Sequence, residues 1–385
     1  MRSEVNALAS IRVAFLNHVG SATGGAERTL ATSLKHRPPD IEALAILFED
    51  GVFADELRSL GVEVRIVAVP PSVMASTRET FGLAGALAVP KVATMVARLL
   101  RRNRVDVLYT NSMKGHVVGS LAGRLARVPC VMHFHDHIDG PGLRVLRTVA
   151  KIGSRQRISC SNSVSKQIGL GETTVIYSPV DLECFARLPR RDVARAALGI
   201  DIAVPVVAIV GRINRWKGHD RFIRIAAEIT AQRLVQFIIV GSPIFRDAEF
   251  LVELEETVRE LKLEHVVRFF PWVDDVRTVF AATDVMVNCS TREPLGRTAA
   301  EAAAAGIPSV VFDDSGAAEW MRETGEGRIV PAGDEHAFAA AIVDLLEESA
   351  ISHARARPIE RSAERFDSVR VAEDVAKVIR VVARR

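Results

Sequence analysis

The sequence has little of what marks a secreted, membrane-spanning or metal-binding protein. It contains four cysteines, with no Cys-x-x-Cys pair and no histidine cluster at zinc-binding spacing, which argues against a zinc site. We therefore expect the cysteines to be buried thiols in a reducing cytosol. No stretch approaches about 18 uninterrupted apolar residues, so no transmembrane helix is expected. Residues 1–10 carry charges and no long apolar run, so no signal peptide is expected either.

Aromatic residues and net charge are also scarce. Phe, Trp and Tyr make up 5% of the chain, and the net charge is +3. A nucleic-acid-binding protein needs a basic stripe and aromatic residues that stack on bases, and neither is evident. The chain instead has a hydrophobic content of 48%, supplied mainly by Ala, Val, Leu and Ile. Over 385 residues this composition predicts an α/β protein of two or three domains.

Short apolar runs alternate with helical patterns along the chain, which predicts doubly wound parallel sheets. The predicted strands are Ile11–Leu16, Ala43–Phe48, Val62–Val67, Val105–Tyr109, Val128–His137, Ile158–Ser163, Thr174–Ile176, Val206–Val210, Phe237–Val240, Val266–Phe270, Asp284–Val287, Ser309–Phe312 and Gly327–Val330. The first helix is predicted to begin at Arg28, and Pro70–Gly85 is expected to be irregular. The charged segment Arg187–Gly199 is predicted to be an interdomain linker with a short helix.

The most informative stretch is Asn288–Pro308, NCSTREPLGRTAAEAAAAGIP, which follows a predicted strand. A polar loop leads there into a run of good helix formers. The N–H groups of Gly296, Arg297 and Thr298 have no partner within the helix, and the helix dipole favours an anion beside them. Gly296 also lets a ligand approach the backbone closely. The stretch therefore predicts a phosphate site.

Two carboxylates frame this predicted phosphate site, Glu293 in the loop and Glu301 in the helix. Because one lies in the loop, both can point at a single ligand from different directions. Carboxylates accept hydrogen bonds from the hydroxyl groups of sugars and of ribose. The combination suits a sugar nucleotide. The alternative is a solvated loop acid and an acid on the helix surface.

Two further strand-to-helix turns carry groups that suit an anion. Gly24 and Gly25 lie between the first strand and the first helix, where backbone N–H groups could wrap a phosphate or merely make a tight turn. Gly211 follows the first strand of the second half, and Arg212 and Lys217 bracket the turn after it. Two fixed cations would neutralise a departing diphosphate. The alternative for them is ordinary surface charge.

Histidines alternate at the end of the predicted strand Val128–His137. His133, His135 and His137 would share one strand face, because side chains alternate along a strand. Such a face could suggest a metal, but no carboxylate pattern accompanies the three rings.

A basic run from Arg98 to Arg104 ends the helix predicted over Leu87–Asn103. Cations at a helix C-terminus complement the helix dipole, and this interpretation is the simpler one. A basic amphipathic end can also lie on an anionic membrane. The sequence leaves both interpretations open.

These motifs together resemble the retaining glycosyltransferases of the GT-B fold, in the large family 4, also called glycosyl transferases group 1. That family usually has E-P-F-G-R-x-x-x-E-A-x-A-x-G-x-P where this chain has Glu293 to Pro308, with Leu295 in place of the common Phe. The turn GGAER at Gly24–Arg28 and the turn GRINRWKG at Gly211–Gly218 resemble two further family motifs, G-G-A-E-R and G-R-x-x-x-x-K-G.

Two other segments match the family less closely. Tyr177–Phe185 resembles the family's Y-N-G-V-D-x-x-x-F segment, with Ser-Pro in place of Asn-Gly. Asp313–Glu319 resembles its G-G-x-x-E turn, with Ala317 in place of the second Gly. The resemblance therefore spans nearly the whole chain and is strongest in residues 206–331.

The resemblance implies a GT-B fold, in which two Rossmann-like doubly wound α/β domains face a central cleft. Residues 1–186 would form the N-terminal, acceptor-side domain, and residues 187–360 the domain that binds the nucleotide sugar. A C-terminal helix within residues 361–385 would pack back on the first domain.

The resemblance also implies roles for individual residues. Arg212 and Lys217 would stabilise the diphosphate, Glu293 would hold sugar hydroxyls, and Glu301 would hold the ribose. The catalytic residues it implies are His135, Arg212, Lys217 and Glu293. The donor-binding residues it implies are Gly24, Gly25, Gly211, Pro294, Leu295, Gly296, Arg297, Thr298, Glu301 and Trp272. Weaker candidates are His133, Asp136, Asn111 and Glu319, where His133 would replace His135 as the histidine that contacts the transferred sugar.

The implied reaction moves a sugar from a nucleoside diphosphate sugar, UDP- or GDP-linked, to a hydroxyl group of a carbohydrate or lipid-linked acceptor with retention of configuration. It would serve cell-surface polysaccharide or glycolipid synthesis, in the cytoplasm or peripherally on the inner face of the membrane. The resemblance implies no cofactor and no metal. Two alternatives stay open, a nucleotide-sugar epimerase of the same architecture and a non-catalytic module that binds glycans or nucleotides.

Overall fold

A computed structural model of the chain describes residues 10–21, 24–74, 83–243, 247–273, 275–352 and 365–384. The chain forms two compact units, one made of residues 1–179 and 368–385 and the other of residues 180–367. The helix Leu182–Ala186, which the sequence analysis assigned to the first domain, therefore belongs to the second unit. The last helix of the chain belongs to the first unit.

The strands follow one another as β1 Ile11–Asn17, β2 Ile41–Leu47, β3 Glu63–Ile66, β4 Val107–Thr110, β5 Cys130–Phe134, β6 Gln156–Ser159, β7 Thr174–Val175, β8 Val206–Val210, β9 Gln236–Val240, β10 Val267–Phe270, β11 Val285–Asn288, β12 Ser309–Phe312 and β13 Arg328–Val330.

The helices are α1 Gly25–Lys35, α2 Val52–Ser59, α3 Pro71–Met74, α4 Leu83–Arg102, α5 Met113–Ala126, α6 Gly140–Gly153, α7 Asn162–Ile168, α8 Leu182–Ala186, α9 Arg191–Ala197, α10 His219–Thr230, α11 Ala248–Glu260, α12 Arg277–Ala282, α13 Arg297–Ala304, α14 Gly316–Thr324, α15 Glu335–Ser352 and α16 Ser368–Ala383. A 3-10 turn, Arg215–Lys217, lies between β8 and α10.

Each unit contains one parallel sheet. The strand order is β3-β2-β1-β4-β5-β6-β7 in the first unit and β10-β9-β8-β11-β12-β13 in the second. In both sheets the order reverses beside the first strand, between β1 and β4 and between β8 and β11. Ligands of open α/β sheets bind at such a switch point, outside the carboxyl ends of the strands. The loops after these strands are therefore where a site is expected.

Helix α5 packs closely on the first sheet because it is rich in small residues. A Cβ at Gly119 would lie only 2.5 Å from the Cγ2 atom of Thr110, and a Cβ at Gly123 only 2.9 Å from the carbonyl oxygen of Val128. Glycine at both positions lets the helix backbone come near β4, which fixes the loop at the end of that strand.

Helix α16 completes the core of the first unit. Val371, Val375 and Ile379 are at most 5% exposed and lie in the same apolar cluster as the residues of α1. Arg380 fixes the helix, since its Nε and Nη2 atoms lie 2.7 and 2.8 Å from the two carboxylate oxygens of Asp40. The hydrogen bonds from Arg380 hold the pKa of Asp40 below its usual value, because they favour the ionised carboxyl.

Some predicted boundaries were wrong for identifiable reasons. Helix α1 begins at Gly25 and not at Arg28, because Glu27 Oε2 reaches back to accept from the N–H of the N-cap residue Gly24 at 3.1 Å. Strand β5 ends at Phe134 and not at His137. Residues 71–74 are helical where an irregular segment was expected, α4 begins at Leu83, and the remainder of that expectation, residues 75–82, lies outside the described residues.

Helix α6 was not predicted at all. Its sequence opens Gly140-Pro141-Gly142, which suggests a loop, and its exposed face carries several cations. Its buried residues nevertheless recur every four positions at Gly142, Leu146 and Ala150, which is the spacing of a helix face that packs on a sheet.

No helix in the described ranges is long and apolar enough to cross a bilayer.

Candidate functional site

The loops after β8 and β11 bring a cation and a carboxylate together at the switch point of the second sheet. Lys217 Nζ lies 2.7 Å from Glu293 Oε2. The Glu293 side chain is 8% exposed and the Lys217 side chain 21%. Two motifs that are 76 residues apart in sequence therefore meet as one ion pair.

The surroundings of Glu293 keep it ionised. Burial alone would raise its pKa, but the Lys217 ammonium group, the Ser290 hydroxyl and the Gly296 N–H together bring that pKa below its usual value. Glu293 Oε1 accepts from the Gly296 N–H at 3.3 Å. This N–H, which the sequence analysis expected to meet a phosphate, is thus bonded to Glu293.

A tight turn places Lys217 for this contact. Asn214 caps the 3-10 turn, and its Oδ1 atom accepts from the backbone N–H of Lys217 at 3.2 Å. It ends at Gly218, which has a φ of +73°, and a Cβ there would lie 2.1 Å from the carbonyl oxygen of Cys289. Glycine is therefore required at 218, both for the left-handed backbone and for the close approach to the loop after β11.

The Glu293 loop packs on the start of α14. The Gly316 N–H donates to the Glu293 carbonyl oxygen at 2.7 Å. A Cβ at Gly316 would lie 2.1 Å from the carbonyl oxygen of Pro294, and a Cβ at Gly296 would lie 2.5 Å from the Ala317 Cβ. The two motifs that the sequence presents separately are thus in direct contact, and Glu319 follows, half-buried, in the first turn of α14.

The start of α13 carries a second ion pair. Arg297 Nη2 lies 3.2 Å from Glu301 Oε1, one helical turn further on, and the two side chains are 20% and 14% exposed. Thr298 lines a small cavity beside Lys217. Leu295, where the family commonly has Phe, is buried. Glu293 and Glu301 therefore each contact a cation, Lys217 and Arg297 respectively.

Gly211, Arg212 and Trp272 lie beside this loop system at the ends of β8 and β10. The Gly211 N–H donates to the Val240 carbonyl oxygen at 2.9 Å. Arg212 is half-buried and forms no ion pair with any residue in the part of the chain that the structure covers. Trp272 is 46% exposed, and its backbone N–H donates to Ser242 Oγ at 3.1 Å.

In the first unit, the loops after β4 and β5 bring Asn111 and His135 together. His135 Nε2 lies 2.8 Å from Asn111 Oδ1. Asn111 is 2% exposed, and its Nδ2 atom donates to the carbonyl oxygen of Ala26 at 3.1 Å. Ala26 belongs to the first turn of α1, directly after Gly24 and Gly25. Residues from three separate motifs thus meet at the switch point of the first sheet.

The prediction that three histidines share one strand face was wrong, because β5 ends before two of them. The rings of His133 and His135 do lie together, with their centroids 3.9 Å apart. His137 instead contacts Ser163, with 3.2 Å between His137 Nε2 and Ser163 Oγ. Among the described residues, no group of three or more His, Cys, Asp or Glu side chains could hold a metal ion.

Burial keeps the inner histidines of this region neutral. It lowers the pKa of His133 well below its usual range, and the nearby His135 and His116 rings act in the same direction. Burial likewise lowers the pKa of His116 to about 3, while Asp136 opposes that shift. The half-buried His135 lies at the edge of this neutral group.

Sequence profiles of known families match both units. The profile described as "Glycosyl transferase 4-like domain" matches residues 24–161, and the profile described as "Glycosyl transferases group 1" matches residues 190–365. The matched ranges contain every predicted site residue. The chain belongs to the group 1 glycosyltransferases. The predicted membership of this family is thereby confirmed.

This glycosyltransferase has relatives among characterised proteins and solved structures. It is 25% identical over 275 residues to the UDP-Gal:alpha-D-GlcNAc-diphosphoundecaprenol alpha-1,3-galactosyltransferase of Escherichia coli, a match that covers 66% of this chain and 70% of that protein. It is 31% identical over 228 residues to the D-inositol 3-phosphate glycosyltransferase of Kineococcus radiotolerans, covering 54% of this chain and 52% of that protein. Anabaena HepE, solved in complex with UDP-glucose, is 27% identical, with a TM-score of 0.81 over 96% of this chain and all of that one. The predicted GT-B fold is confirmed by these structural similarities.

The sequence analysis missed several residues of the glycosyltransferase that shape the site. Asn214 fixes the lysine turn, Ser290 donates to Glu293, and the Trp216 ring lies 4.2 Å from Lys217 Nζ. Asn214 could have been found, because an Asn placed three residues before Lys217 has the spacing of a cap. His219 is fully buried beside Lys217, and burial lowers its pKa to about 4 although the Asn214 carbonyl opposes that shift. No sequence pattern signals that position.

Proposed function

We propose that this glycosyltransferase moves a sugar from a uridine diphosphate sugar to an acceptor hydroxyl group with retention of configuration, in the synthesis of a cell-surface polysaccharide or glycolipid. The observation that carries the proposal is the Lys217–Glu293 pair at the β8/β11 switch point, beside the first N–H of α13. A cation, a carboxylate and a helix start are the groups that a sugar diphosphate requires. The relatives that act on UDP-galactose or bind UDP-glucose support uridine as the base.

Each group has a separate task in this proposal. Lys217 and Arg212 would neutralise the charge that develops on the departing diphosphate, and fixed charges of this kind supply much of the rate enhancement in such sites. Glu293 would accept hydrogen bonds from sugar hydroxyls, and Glu301 from the ribose. His135, in the first unit, would contact the transferred sugar. No metal and no cofactor takes part in the proposed reaction. Retention of configuration can be tested by NMR of the product, which shows its anomeric configuration.

A thermal-shift comparison of nucleotides tests the donor part of the proposal. UDP should raise the unfolding midpoint, because a ligand that binds only the folded state stabilises it by about 2.7 kcal/mol at a hundred times its Kd. For units of this size that corresponds to roughly 5–10 °C. GDP and ADP at the same concentration should give much smaller shifts.

Glu301→Gln should weaken the response to UDP, since the carboxylate would no longer bind the ribose. Glu253→Gln is the matched control, because Glu253 is an exposed acid that pairs with Arg215 in the same unit. A response to GDP in place of UDP would overturn the choice of base. A protein that responds to no nucleotide would overturn the donor site itself, and a non-catalytic glycan-binding module would then be the better hypothesis.

We also propose that the first unit contacts an anionic membrane surface, as an acceptor on a lipid would require. Helices α4, α5 and α6 pack side by side and carry nine Lys or Arg residues and no Asp or Glu. The exposed cations are Lys91, Arg98, Arg101, Arg102, Arg124, Arg144, Arg147 and Lys151. None of these eight forms an ion pair within the described ranges, and exposed Leu125, Val145 and Ile152 lie on the same helices.

Co-sedimentation with lipid vesicles tests this surface. Binding to vesicles that contain phosphatidylglycerol should exceed binding to phosphatidylcholine vesicles and should fall with salt, because each exposed cation contributes about 1 kcal/mol near an anionic surface. Reversing two charges in Arg98→Glu/Arg102→Glu should weaken binding more than about tenfold. Arg190→Glu/Arg259→Glu changes two exposed cations of the second unit and should leave binding intact. Equal binding by both double variants would overturn the proposed surface.

A further inference from the structure

Asn111 is buried at the end of β4, and both ends of its amide are engaged. Nδ2 lies 3.1 Å from the carbonyl oxygen of Ala26, and Oδ1 lies 2.8 Å from His135 Nε2. The Asn111 N–H donates to the carbonyl oxygen of Leu16 at 3.0 Å, so the backbone of this residue is tied to β1 as well. The side chain therefore has a single orientation, set by two neighbouring elements.

That orientation determines which nitrogen of His135 carries a proton. A backbone carbonyl can only accept a hydrogen bond, so the NH2 end of the amide must face Ala26. The oxygen end consequently faces His135, and an amide oxygen also only accepts. His135 Nε2 must then be the protonated nitrogen. In the neutral ring the lone pair is left on Nδ1, so a substrate hydroxyl group that meets Nδ1 has to be the donor.

The buried titratable side chains beside His135 are held neutral. His133 on β5 is stacked beside His135, and His116 on α5 lies close by, but burial holds both neutral. Tyr109 on β4 hydrogen-bonds His133 Nδ1, and burial raises the pKa of its hydroxyl, so it is neutral as well. His18, after β1, and Asp136, beside His135, also act on the cluster.

We propose that Asn111 is a positioning residue that fixes His135 as its Nε2–H tautomer and connects that ring to the first turn of α1. The inference rests on the proposed contact between His135 and the transferred sugar. Asn111 does not touch substrate in this account. It acts through the ring, as second partners of catalytic histidines generally do. Asn111 thus connects the Gly-Gly turn to the histidine motif, since Ala26 directly follows the two glycines.

NMR of the full-length protein with 15N-labelled histidine tests the tautomer directly, without any change at 111. His135→Gln identifies the His135 signals by their loss. We expect the wild-type ring to be protonated on Nε2 near neutral pH. A ring protonated on Nδ1 would overturn the proposal, whatever the activity of the protein.

Two variants, Asn111→Ala and Asn111→Asp, then test the consequence for turnover. Turnover is measured as the release of UDP from a UDP-linked sugar. Asn111→Ala should mix the two tautomers and lower kcat by about tenfold, which corresponds to about 1.4 kcal/mol of lost transition-state stabilisation. The shift caused by UDP should stay nearly unchanged, because Lys217, Arg212 and Glu301, the residues proposed to hold the diphosphate and the ribose, lie in the second unit. Asn103→Ala is the matched control, since Asn103 also donates to a helix carbonyl, that of Leu99, but precedes β4.

Asn111→Asp should move the pH profile. A carboxylate opposite Nε2–H favours the imidazolium, so the pKa of His135 should rise by about one unit or more. Turnover should then fall near neutral pH and recover at higher pH, where the ring becomes neutral again. An unchanged midpoint in folded Asn111→Asp would contradict the proposal. If His135→Gln kept full turnover, the sugar-contacting role of His135 would fail instead, while the tautomer result would still stand.

Discussion

Replacing Lys217 with Met is expected to lower turnover by about 10²–10³-fold, the loss seen when one preorganised group that stabilises developing charge is removed. The lysine is the cation that the 3-10 turn delivers to Glu293 at 2.7 Å. Its loss also leaves the buried Glu293 carboxylate without its closest countercharge, so the free energy of unfolding should fall at neutral pH. Steady-state kinetics and thermal unfolding measure the two effects separately.

The pH dependence of this variant has a defined sign. In the wild type the pKa of Glu293 lies below its usual value, so the stability contributed by this group is present above that usual value, about 4.3, and is lost as the pH falls through the folded-state pKa. In Lys217→Met burial dominates and the pKa of Glu293 should rise. The stability deficit of the variant should therefore be largest at neutral pH and should shrink on acidification, as Glu293 takes up a proton.

A second substitution separates catalysis from stability. In Lys217→Met/Glu293→Gln the buried charge is gone, so stability should recover while turnover stays low. Arg215→Met is the matched control, because Arg215 lies in the same 3-10 turn but pairs with Glu253 at an exposed position. Recovery of turnover in the double variant would contradict a direct role for Lys217 and would leave it a structural residue.

Replacing Arg195 with Met is expected to cost about 3–5 kcal/mol of unfolding free energy, the range for breaking a buried charged pair by removing one partner. Arg195 is 1% exposed. Its Nη2 atom lies 2.6 Å from Asp284 Oδ2, which also accepts from the Val206 N–H at 2.8 Å. Arg191 pairs with the other carboxylate oxygen of Asp284 from a more exposed position. Its other guanidinium nitrogens donate to the carbonyl oxygens of Asp201, Ile202, Val204 and Ala282.

The unfolding midpoint should accordingly fall by on the order of 10 °C. Arg190→Met is the control, since Arg190 pairs with Asp192 at the surface and should give no measurable shift. Arg195 lies at the amino ends of β8 and β11, whereas the ligand loops follow their carboxyl ends. Well below its midpoint the variant should therefore bind UDP as the wild type does. A midpoint that stays within two degrees or so of the wild type would contradict this account.

The burial of Arg195 could not be predicted from the sequence. The segment Arg187–Gly199 is highly charged and was predicted to be an interdomain linker with a short helix, which the structure has at Arg191–Ala197. The structure also buries one arginine of that segment among carbonyl groups at the amino ends of two strands. Which of several arginines is buried depends on contacts as distant as Asp284, which local composition cannot reveal.

The strands and the donor loops were more predictable. Apolar runs bounded by Gly, Pro and polar residues placed every strand to within a few residues, because parallel strands are buried on both faces. The family resemblance assigned the motifs around Lys217 and Glu293 to one site, and the structure places β8 and β11 side by side. The partners that hold those groups, Asn214 and Ser290, needed the coordinates.

The histidine region was predictable only in part. The sequence singled out His133 and His135, and the structure brings their rings together. It could not show that β5 stops at Phe134, because His135, Asp136 and His137 follow without a Gly or Pro that would mark the end of the strand. Nor could it show that Asn111 faces His135, since that contact depends on the register between β4 and β5.

The return of α16 to the first unit has a consequence for the order in which the chain acquires structure during synthesis. Residues 180–367 form a continuous unit, so it can close as soon as it has emerged from the ribosome. The first unit is synthesised earlier, yet its core lacks Val371, Val375 and Ile379 until the C-terminal helix is made. The half that is translated first is therefore the half that matures last, and a nascent chain that stops before residue 368 should expose the apolar face of α1 to chaperones.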